Sequence, residues 1–160
     1  MGLVSLVSYK LPTRGSKYVN QNGYNDLINP NEVIYSSFNS VKLIKSDKGD
    51  DKEIELWSVF LKDGSSFLTS DGEIVGGELS KNLSSIETYY SRTKNSKTLT
   101  PSNYRSYINI GLIKYIKFER YMVGEKGDVP MFNLNVYGSS FIISETTKDE
   151  FSTDVAPAKK

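Results

Sequence analysis

The stretch EIELWSVFLKDGSSFLTSDGEIV, residues 53 to 75, decides how this chain is expected to fold. Its first part is apolar on both alternating faces and holds the only Trp of the sequence. This pattern is typical of a central strand covered on both sides, or of one covered on one side by a partner. Asp63-Gly64 predicts a type I′ hairpin turn, because both residues of that turn need positive φ. Asp71-Gly72 predicts a second turn before a short strand over residues 73 to 75. The stretch therefore indicates an antiparallel β-meander.

Composition narrows the classes of function. The chain has 160 residues, the size of one ordinary domain, and a net charge of +1, so no bulk field attracts it to nucleic acid or acidic membranes. It contains no Cys and no His, which excludes disulfides, zinc sites built on those residues, and thiol or imidazole catalysis. Catalysis would have to use carboxylates, Lys, Tyr or a metal held by oxygen atoms.

The first residues, MGLVSLVSYKLP, carry no recognisable targeting signal. They lack the charged start and the long apolar segment of a signal peptide, and Leu6 stands where myristoylation needs Ser or Thr. No apolar run approaches the length of a membrane span. We therefore expect no membrane partner, and a protein that is made and kept in a cytoplasm or packaged into something assembled there.

The N-terminal region, residues 1 to 31, is predicted to be a short strand followed by an extended arm. Residues 3 to 9 alternate loosely, as a strand does, and residues 11 to 31 are rich in Gly, Asn and Pro without a helical period. The arm could be unstructured, or it could lie across a neighbouring subunit. Apolar and aromatic side chains favour the second interpretation, and the candidate interface residues are Leu3, Tyr9, Tyr18, Tyr24, Leu27 and Ile28.

Four further segments are predicted to be strands. Residues 33 to 45 are rich in β-branched and aromatic residues, with a bulge expected near residues 36 to 40. The period of residues 107 to 123 is ambiguous between helix and strand, and its composition favours strand. Residues 131 to 137 alternate cleanly, with Phe132, Leu134 and Val136 inward, and residues 141 to 144 return as the second strand of a hairpin.

Two helices are expected. Leu79, Leu83, Ile86 and Tyr90 are spaced by four, three and four residues, which predicts an amphipathic helix over residues 79 to 91 that packs on the meander. The pattern from Thr147 to Glu150 has the spacing of a capping box before a last short helix. The side chains expected in the core include Trp57, Phe60, Leu83 and Phe118.

These elements predict an α+β fold that consists mostly of antiparallel β-hairpins, with one amphipathic helix on the sheet and extended terminal arms. The expected organisation is an N-terminal strand and arm over residues 1 to 31, a single domain over residues 32 to 151, and a tail over residues 152 to 160.

No pattern of catalytic, cofactor-binding or metal-binding residues emerges. Gly76-Gly77 precedes the predicted helix but belongs to neither phosphate-binding glycine motif, so an ordinary helix entry is expected. Asp47, Asp50 and Asp51 superficially resemble a calcium loop, yet their spacing does not fit one, and a solvated turn is expected. The hypothesis is therefore a protein without enzymatic activity and without a cofactor.

One polar loop is locally basic. It carries Arg92, Lys94 and Lys97, with Arg105 just beyond it, and Tyr90, Tyr104 and Tyr107 flank it. Basic residues interleaved with aromatic residues can bind nucleic acid through phosphate contacts and base stacking. The alternative hypothesis for the whole protein is accordingly a small nucleic-acid-binding module, although such a loop can equally be a solvated connection.

Two resemblances complete the sequence analysis. YRSYINIGLIKYI (residues 104 to 116), followed by a strand, Gly138 and IISETTKDEF (residues 142 to 151), resembles the latter half of LytTR-type DNA-binding domains. Tyr104 stands where that family usually has His, and Glu145 where a later Arg would lie. Both departures remove phosphate contacts that the family would make. The resemblance therefore implies β-topology rather than DNA binding.

The second resemblance covers the whole chain. Heavy use of Asn, Lys, Ser, Tyr and Ile, the lack of Cys and His, a meander core and long polar arms resemble small structural proteins of tailed-phage virions. That resemblance implies a ring, tail, portal-proximal or capsid accessory subunit. Such a subunit would form homo-oligomers and contact other structural proteins of the particle through its terminal arms and its sheet edges.

Overall fold

A computed structural model describes residues 2 to 46, 49 to 91 and 98 to 152. The chain divides into two compact units, residues 1 to 84 and residues 85 to 160. This division differs from the predicted single domain over residues 32 to 151. Most of the predicted C-terminal tail, from residue 153 onward, lies outside the described residues.

The first unit consists mainly of short and long strands. They are β1 Val4–Leu6, β2 Ser8–Lys10, β3 Asn20–Gln21, β4 Asp26–Ile28, β5 Val33–Ile44, β6 Lys52–Leu61 and β7 Ser66–Thr69. Its helical segments are the 3-10 helices Pro30–Glu32 and Glu78–Ser80 and the α-helix α1 Gly72–Gly76. Five strands lie side by side in the order β3-β2-β7-β6-β5, each antiparallel to the next, and β1 pairs with β4.

The second unit follows the same plan. Its strands are β8 Ser84–Ile86, which begins at the boundary, β9 Tyr89–Tyr90, β10 Thr100–Pro101, β11 Ser106–Ile108, β12 Ile113–Gly124, β13 Gly127–Val136 and β14 Ser139–Ser144. A 3-10 helix, Ile110–Leu112, precedes β12, and α2 Glu145–Glu150 follows β14. Five strands lie in the order β10-β9-β14-β13-β12, and β8 lies beside β11.

The two units are repeats of one fold. The 3-10 helix before each long hairpin is capped in the same way, because the Oδ1 atoms of Asn29 and Asn109 accept the backbone N–H two residues later, at 2.9 and 3.1 Å. Both long hairpins shift register at the same point, between Phe38 and Ser40 in β5 and between Phe118 and Arg120 in β12. Each final helix is capped by the residue before it. The chain is therefore a tandem repeat.

The first two strands of the predicted meander are present in the first unit as β6 and β7. Strand β6 places Leu56, Trp57 and Val59 in the interior, so both of its faces are covered, as predicted. Leu56 forms a buried cluster with Tyr9 of β2 and Val19. The α+β class, dominated by antiparallel strands, is confirmed.

The hairpin at Asp63-Gly64 forms, but with a different turn. Only Gly64 has positive φ, at +93°, and the Leu61 N–H bonds the Ser65 carbonyl at 2.9 Å across a three-residue loop. Such loops combine a type I turn with a left-handed residue. A two-residue turn with positive φ at both positions occurs instead at Tyr137 and Gly138, at +48° and +83°.

Three predicted elements are wrong in type or place. The short strand predicted over residues 73 to 75 is helix α1, whose N–H of Ile74 bonds the Asp71 carboxylate. The helix predicted over residues 79 to 91 is a 3-10 turn followed by β8 and β9. The Ser80 hydroxyl bonds the Val75 carbonyl, and such side-chain bonds to the backbone compete with a helix. The cap of α2 is Ser144, not Thr147.

The other strand predictions fare better. Residues 113 to 124 and 127 to 136 form strands, and the bulge expected near residues 36 to 40 is present. Trp57, Leu134 and Val136 are buried as predicted. Phe60 and Leu83 are only partly buried. The prediction that Phe118 lies in the core is wrong, because its side chain is exposed.

The N-terminal residues are part of the first unit rather than an extended arm. Strands β1 to β4 lie between residues 4 and 28, and Val4, Leu6, Tyr9 and Ile28 are buried. These side chains contribute apolar burial to their own chain, which a free arm would not.

A pair of substitutions tests this placement. Leu6→Ala is expected to lower the free energy of unfolding by about 2 to 5 kcal/mol, because it leaves a cavity where a fully buried Leu packs. Leu3→Ala, at a side chain that is 57% exposed, should change it by less than about 0.5 kcal/mol. Urea unfolding at low protein concentration measures both, and equal effects would contradict the placement.

Candidate functional site

The second unit exposes a group of aromatic and basic side chains along β12. Tyr115, Phe118 and Tyr121 are exposed, as are Lys114 and Lys117. We call these five residues the β12 surface. Val123 and Val129, at the far end of the same hairpin, are also exposed. The pairing register places Tyr115 and Lys117 on one face of the hairpin and Phe118 and Tyr121 on the other. Grouped exposed apolar side chains mark interaction sites.

Part of the β12–β13 hairpin extends beyond the strand that pairs with it. Strand β14 pairs with β13 only from Met131 to Val136, so among the described residues the end of the hairpin that carries Tyr121, Val123 and Val129 has no third strand. Phe118 lies directly opposite Phe132, with the two ring centroids 6.1 Å apart. The register shift after Phe118 brings the Tyr121 ring within 5.0 Å of it. The rings therefore form one cluster.

Lysine ammonium groups lie near two aromatic rings of the second unit. The Lys117 ammonium lies 5.4 Å from the centre of the Tyr115 ring, and the Lys148 ammonium of α2 lies 4.8 Å from the centre of the Phe132 ring. Arg120 is paired with Glu119 at 2.7 Å, which neutralises that part of the strand. The first half of β12 is thus basic and aromatic.

Strand β12 also has an open edge. It is the last strand in its five-stranded order, and among the described residues β13 is its only neighbour. The outer edge of a strand presents N–H and C=O groups that can pair with another chain. A strand of 12 residues is long for an edge strand that is left uncovered.

The first unit exposes a second apolar group, on the β1–β4 pair. Leu3 and Leu27 are exposed, and Tyr24 is 90% exposed. Strand β4 pairs only with β1 among the described strands, so its other edge is open. We call Leu3, Tyr24 and Leu27 the β4 surface. All three were predicted interface residues.

The other predicted interface residues lie elsewhere. Tyr9 and Ile28 are buried, so neither is available to a partner. The Tyr18 hydroxyl donates to the Asp51 Oδ2 atom at 2.8 Å, and the Lys45 ammonium lies 5.1 Å from the centre of its ring. The hydrogen bond to Asp51, and then the charge of that carboxylate, raise the pKa of Tyr18.

Of the predicted nucleic-acid contacts, only Arg105 lies in the described part of the chain. Its guanidinium donates to the Ser85 hydroxyl at 2.5 Å and to the Ser85 carbonyl at 3.1 Å. Arg92, Lys94 and Lys97 lie outside the described residues. The Asp47 of the calcium-like motif does so too.

A polar cavity of about 420 Å³ opens in the first unit beside β2, β6 and β7. Its wall includes Ser8, whose hydroxyl accepts from the Asn22 amide at 2.8 Å, together with Tyr9, Asp26 and Ser58. Asp26 is the only acidic residue among the described residues of this wall, and they therefore offer no paired carboxylates for acid–base chemistry.

Residues 2 to 46, 49 to 91 and 98 to 152 contain no group of three or more acidic side chains placed to hold a metal ion. Within the same ranges, the structure has no helix with the length and apolar character needed to cross a membrane.

Comparison of this chain with protein families, with curated proteins and with solved structures found no match.

Sequence reasoning missed the β12 surface because apolar residues in a dense run were assigned to the core. The Lys residues that interrupt the aromatic positions in KYIKF, residues 114 to 118, were a signal of exposure. The repeat was missed as well. Its signal is Tyr-x-x-x-Ile-Asn, which ends at Asn29 and again at Asn109, 80 positions later.

The contact between Tyr18 and Asp51 leads to a testable prediction. Asp51→Asn should lower the pKa of Tyr18 toward 10.0, because it removes the carboxylate that raises it. Titration by NMR of ¹³Cζ-labelled tyrosine resolves the individual hydroxyls. Glu53→Gln, also in the exposed part of this hairpin, is the control, and an unchanged Tyr18 pKa in Asp51→Asn would contradict the contact.

Proposed function

We propose that this protein is a structural subunit that forms homo-oligomers within a larger assembly. The observation that carries the proposal is the pair of exposed apolar surfaces, each beside an open strand edge. Open edges and exposed apolar residues favour aggregation unless a partner covers them. A specific partner that covers both surfaces would prevent this aggregation and form a defined interface.

The chemistry of the described residues supports a role without catalysis. Asp63 accepts the Ser65 N–H at 2.9 Å, which lowers the pKa of its carboxyl, and Asp71 caps helix α1. Glu119 is paired with Arg120. These acidic groups have structural roles in turns, caps and ion pairs, and they are dispersed along the chain rather than gathered at one cavity.

The proposed setting is the virion of a tailed phage, where the subunit would belong to a ring, the tail, the portal region or the capsid surface. The resemblance of the whole chain in composition supports this setting. A tandem repeat of one small fold also suits an assembly, because a repeated unit offers related surfaces at both ends of the chain. Other structural proteins of the particle would be further partners.

Nucleic-acid binding is the second candidate function. The β12 surface favours it to some degree, because Lys114 and Lys117 alternate with exposed aromatic rings. Stacking of bases on aromatic rings, with Lys near the phosphates, is how many proteins bind single strands. The ion pair of Glu119 with Arg120 and the exposed Glu125 and Asp128 reduce the positive field there, which favours a protein partner.

Sedimentation velocity over a range of protein concentrations tests the main proposal. The wild-type protein is expected to form oligomers, and Phe118→Ser combined with Tyr121→Ser should shift it toward monomer, because both rings are exposed in the single chain. Val41→Ser, at an exposed position of β5, is the control. A wild-type protein that stays monomeric at high concentration would contradict the proposal.

Fluorescence anisotropy with a labelled single-stranded DNA oligonucleotide tests the second candidate. Binding that weakens steeply as salt increases would support it, since released counterions drive such binding. Oligomers that form without nucleic acid, with no DNA affinity at low salt, would exclude it.

A further inference from the structure

We propose that copies of this chain associate head to tail, with the β4 surface of one copy pairing with the start of β12 in the next. This inference rests on the proposed function, because it names the two surfaces that would join the homo-oligomer. The occupant of the β12 edge is thus the β4 edge of a second copy of the chain.

The repeat supplies the first argument. Strand β12 is the counterpart of β5, and the second and third residues of the two strands differ sharply in exposure. Ile34 and Tyr35 of β5 are buried, with Tyr35 only 7% exposed, and Tyr35 stacks on Phe60 with ring centroids 4.5 Å apart. Their counterparts Lys114 and Tyr115 are exposed, Tyr115 by 41%. The same part of the fold is buried in the first unit and exposed in the second.

Strand β4 shows the reverse difference. Tyr24 is 90% exposed and Leu27 is 61% exposed. Their counterparts beside and within β11, Tyr104 and Tyr107, are partly buried. In the first unit, the β4 surface is therefore exposed and the start of β5 is buried. In the second unit, the start of β12 is exposed, whereas the tyrosines beside and within β11, the counterpart of β4, are partly buried.

These two differences complement each other. Each chain has one exposed β4 surface and one exposed β12 surface. The counterparts of the β4 surface and of residues 114 to 118 are buried or partly buried within the chain. A second copy that places its β4 surface on β12 would give both surfaces the covered state of their counterparts. It would also give the open edges of both strands a backbone partner, which is how extended segments add to a sheet.

Charge distinguishes this pairing from self-pairing of either surface. Asp26 lies in β4, and Glu32 lies in the 3-10 helix that follows it. The start of β12 carries Lys114 and Lys117. Opposite charges favour β4 against β12, whereas two β12 edges or two β4 edges would bring like charges together. The charges therefore favour a contact between the β4 surface of one copy and the β12 surface of the other.

A contact between unlike surfaces leaves one bare surface at each end of the growing assembly. Such heterologous contacts produce closed rings when the rotation between subunits closes, and open filaments when it does not. A contact between like surfaces would instead stop at a dimer. The difference is measurable with variants that each keep one surface intact.

The experiment uses Leu27→Lys, which disrupts the β4 surface, and Tyr115→Lys, which disrupts the β12 surface. Both positions are exposed in the single chain, so both variants should keep the wild-type thermal melting curve at protein concentrations low enough for the wild type to be monomeric. Each variant alone is expected to be a monomer, because the contact would bury an unpaired ammonium group. An equimolar mixture should form heterodimers and nothing larger. The intact β12 surface of Leu27→Lys can pair with the intact β4 surface of Tyr115→Lys, and the two surfaces that remain unpaired in this heterodimer are both disrupted.

Native mass spectrometry with one variant ¹⁵N-labelled identifies the heterodimer directly. Val41→Lys, exposed on β5, is the control and should assemble as the wild type does. Lys114→Glu provides a second route, because it should weaken association most strongly at low salt, where charge attraction is least screened.

The outcomes separate this inference from the proposed function. Wild-type oligomers that survive either single variant, or a mixture that stays monomeric, would overturn the head-to-tail contact and leave the structural role standing. A wild-type protein that is monomeric at all concentrations would overturn both. Monomers whose binding to a single-stranded DNA oligonucleotide is lost in Tyr115→Lys would overturn both in favour of nucleic-acid binding.

Discussion

The pairing of strand edges is the constraint on which the rest of this structure depends. Every strand presents N–H and C=O groups along both edges, and an uncovered edge recruits another chain. Each unit is built around one long hairpin, β5–β6 or β12–β13, and short strands extend it on the inner side. The outer edge of the long strand then decides whether the unit has a surface that another chain can cover. The second and third residues of β5 are buried, whereas those of β12 are exposed.

Duplication turns this single constraint into a rule for assembly. Two copies of one fold share the same bulge, the same capped 3-10 turn and the same strand order, yet their exposed residues differ. Selection on a repeat can bury a surface within the chain in one repeat and leave the equivalent surface of the other repeat exposed to a partner. The contrast between Tyr35 and Tyr115 expresses this difference at one position of the fold.

The sequence was informative where burial and strand period agree, and misleading where another interaction prevails. The apolar residues of β6 identified a strand covered on both faces, and alternation identified β13. Spacing alone suggested a helix over residues 79 to 91, because Leu79 and Ile86 are buried at helix-like intervals, but the Ser80 side chain bonds the backbone of a turn instead. Phe118 appeared to belong to the core because a dense apolar run does not reveal that its strand lies at the edge of a sheet, as β12 does. The exposed surfaces depend on such long-range pairing, which no local pattern encodes.

Hydrogen exchange as a function of protein concentration tests the central claim most directly. If β4 of one copy pairs with β12 of the next, backbone amides within residues 26 to 28 and 113 to 117 should become protected together as concentration rises. Protection of residues 131 to 136 of β13, which already pair with strands on both sides, should stay constant. Oligomers that form while the exchange of both segments remains independent of concentration would contradict the account.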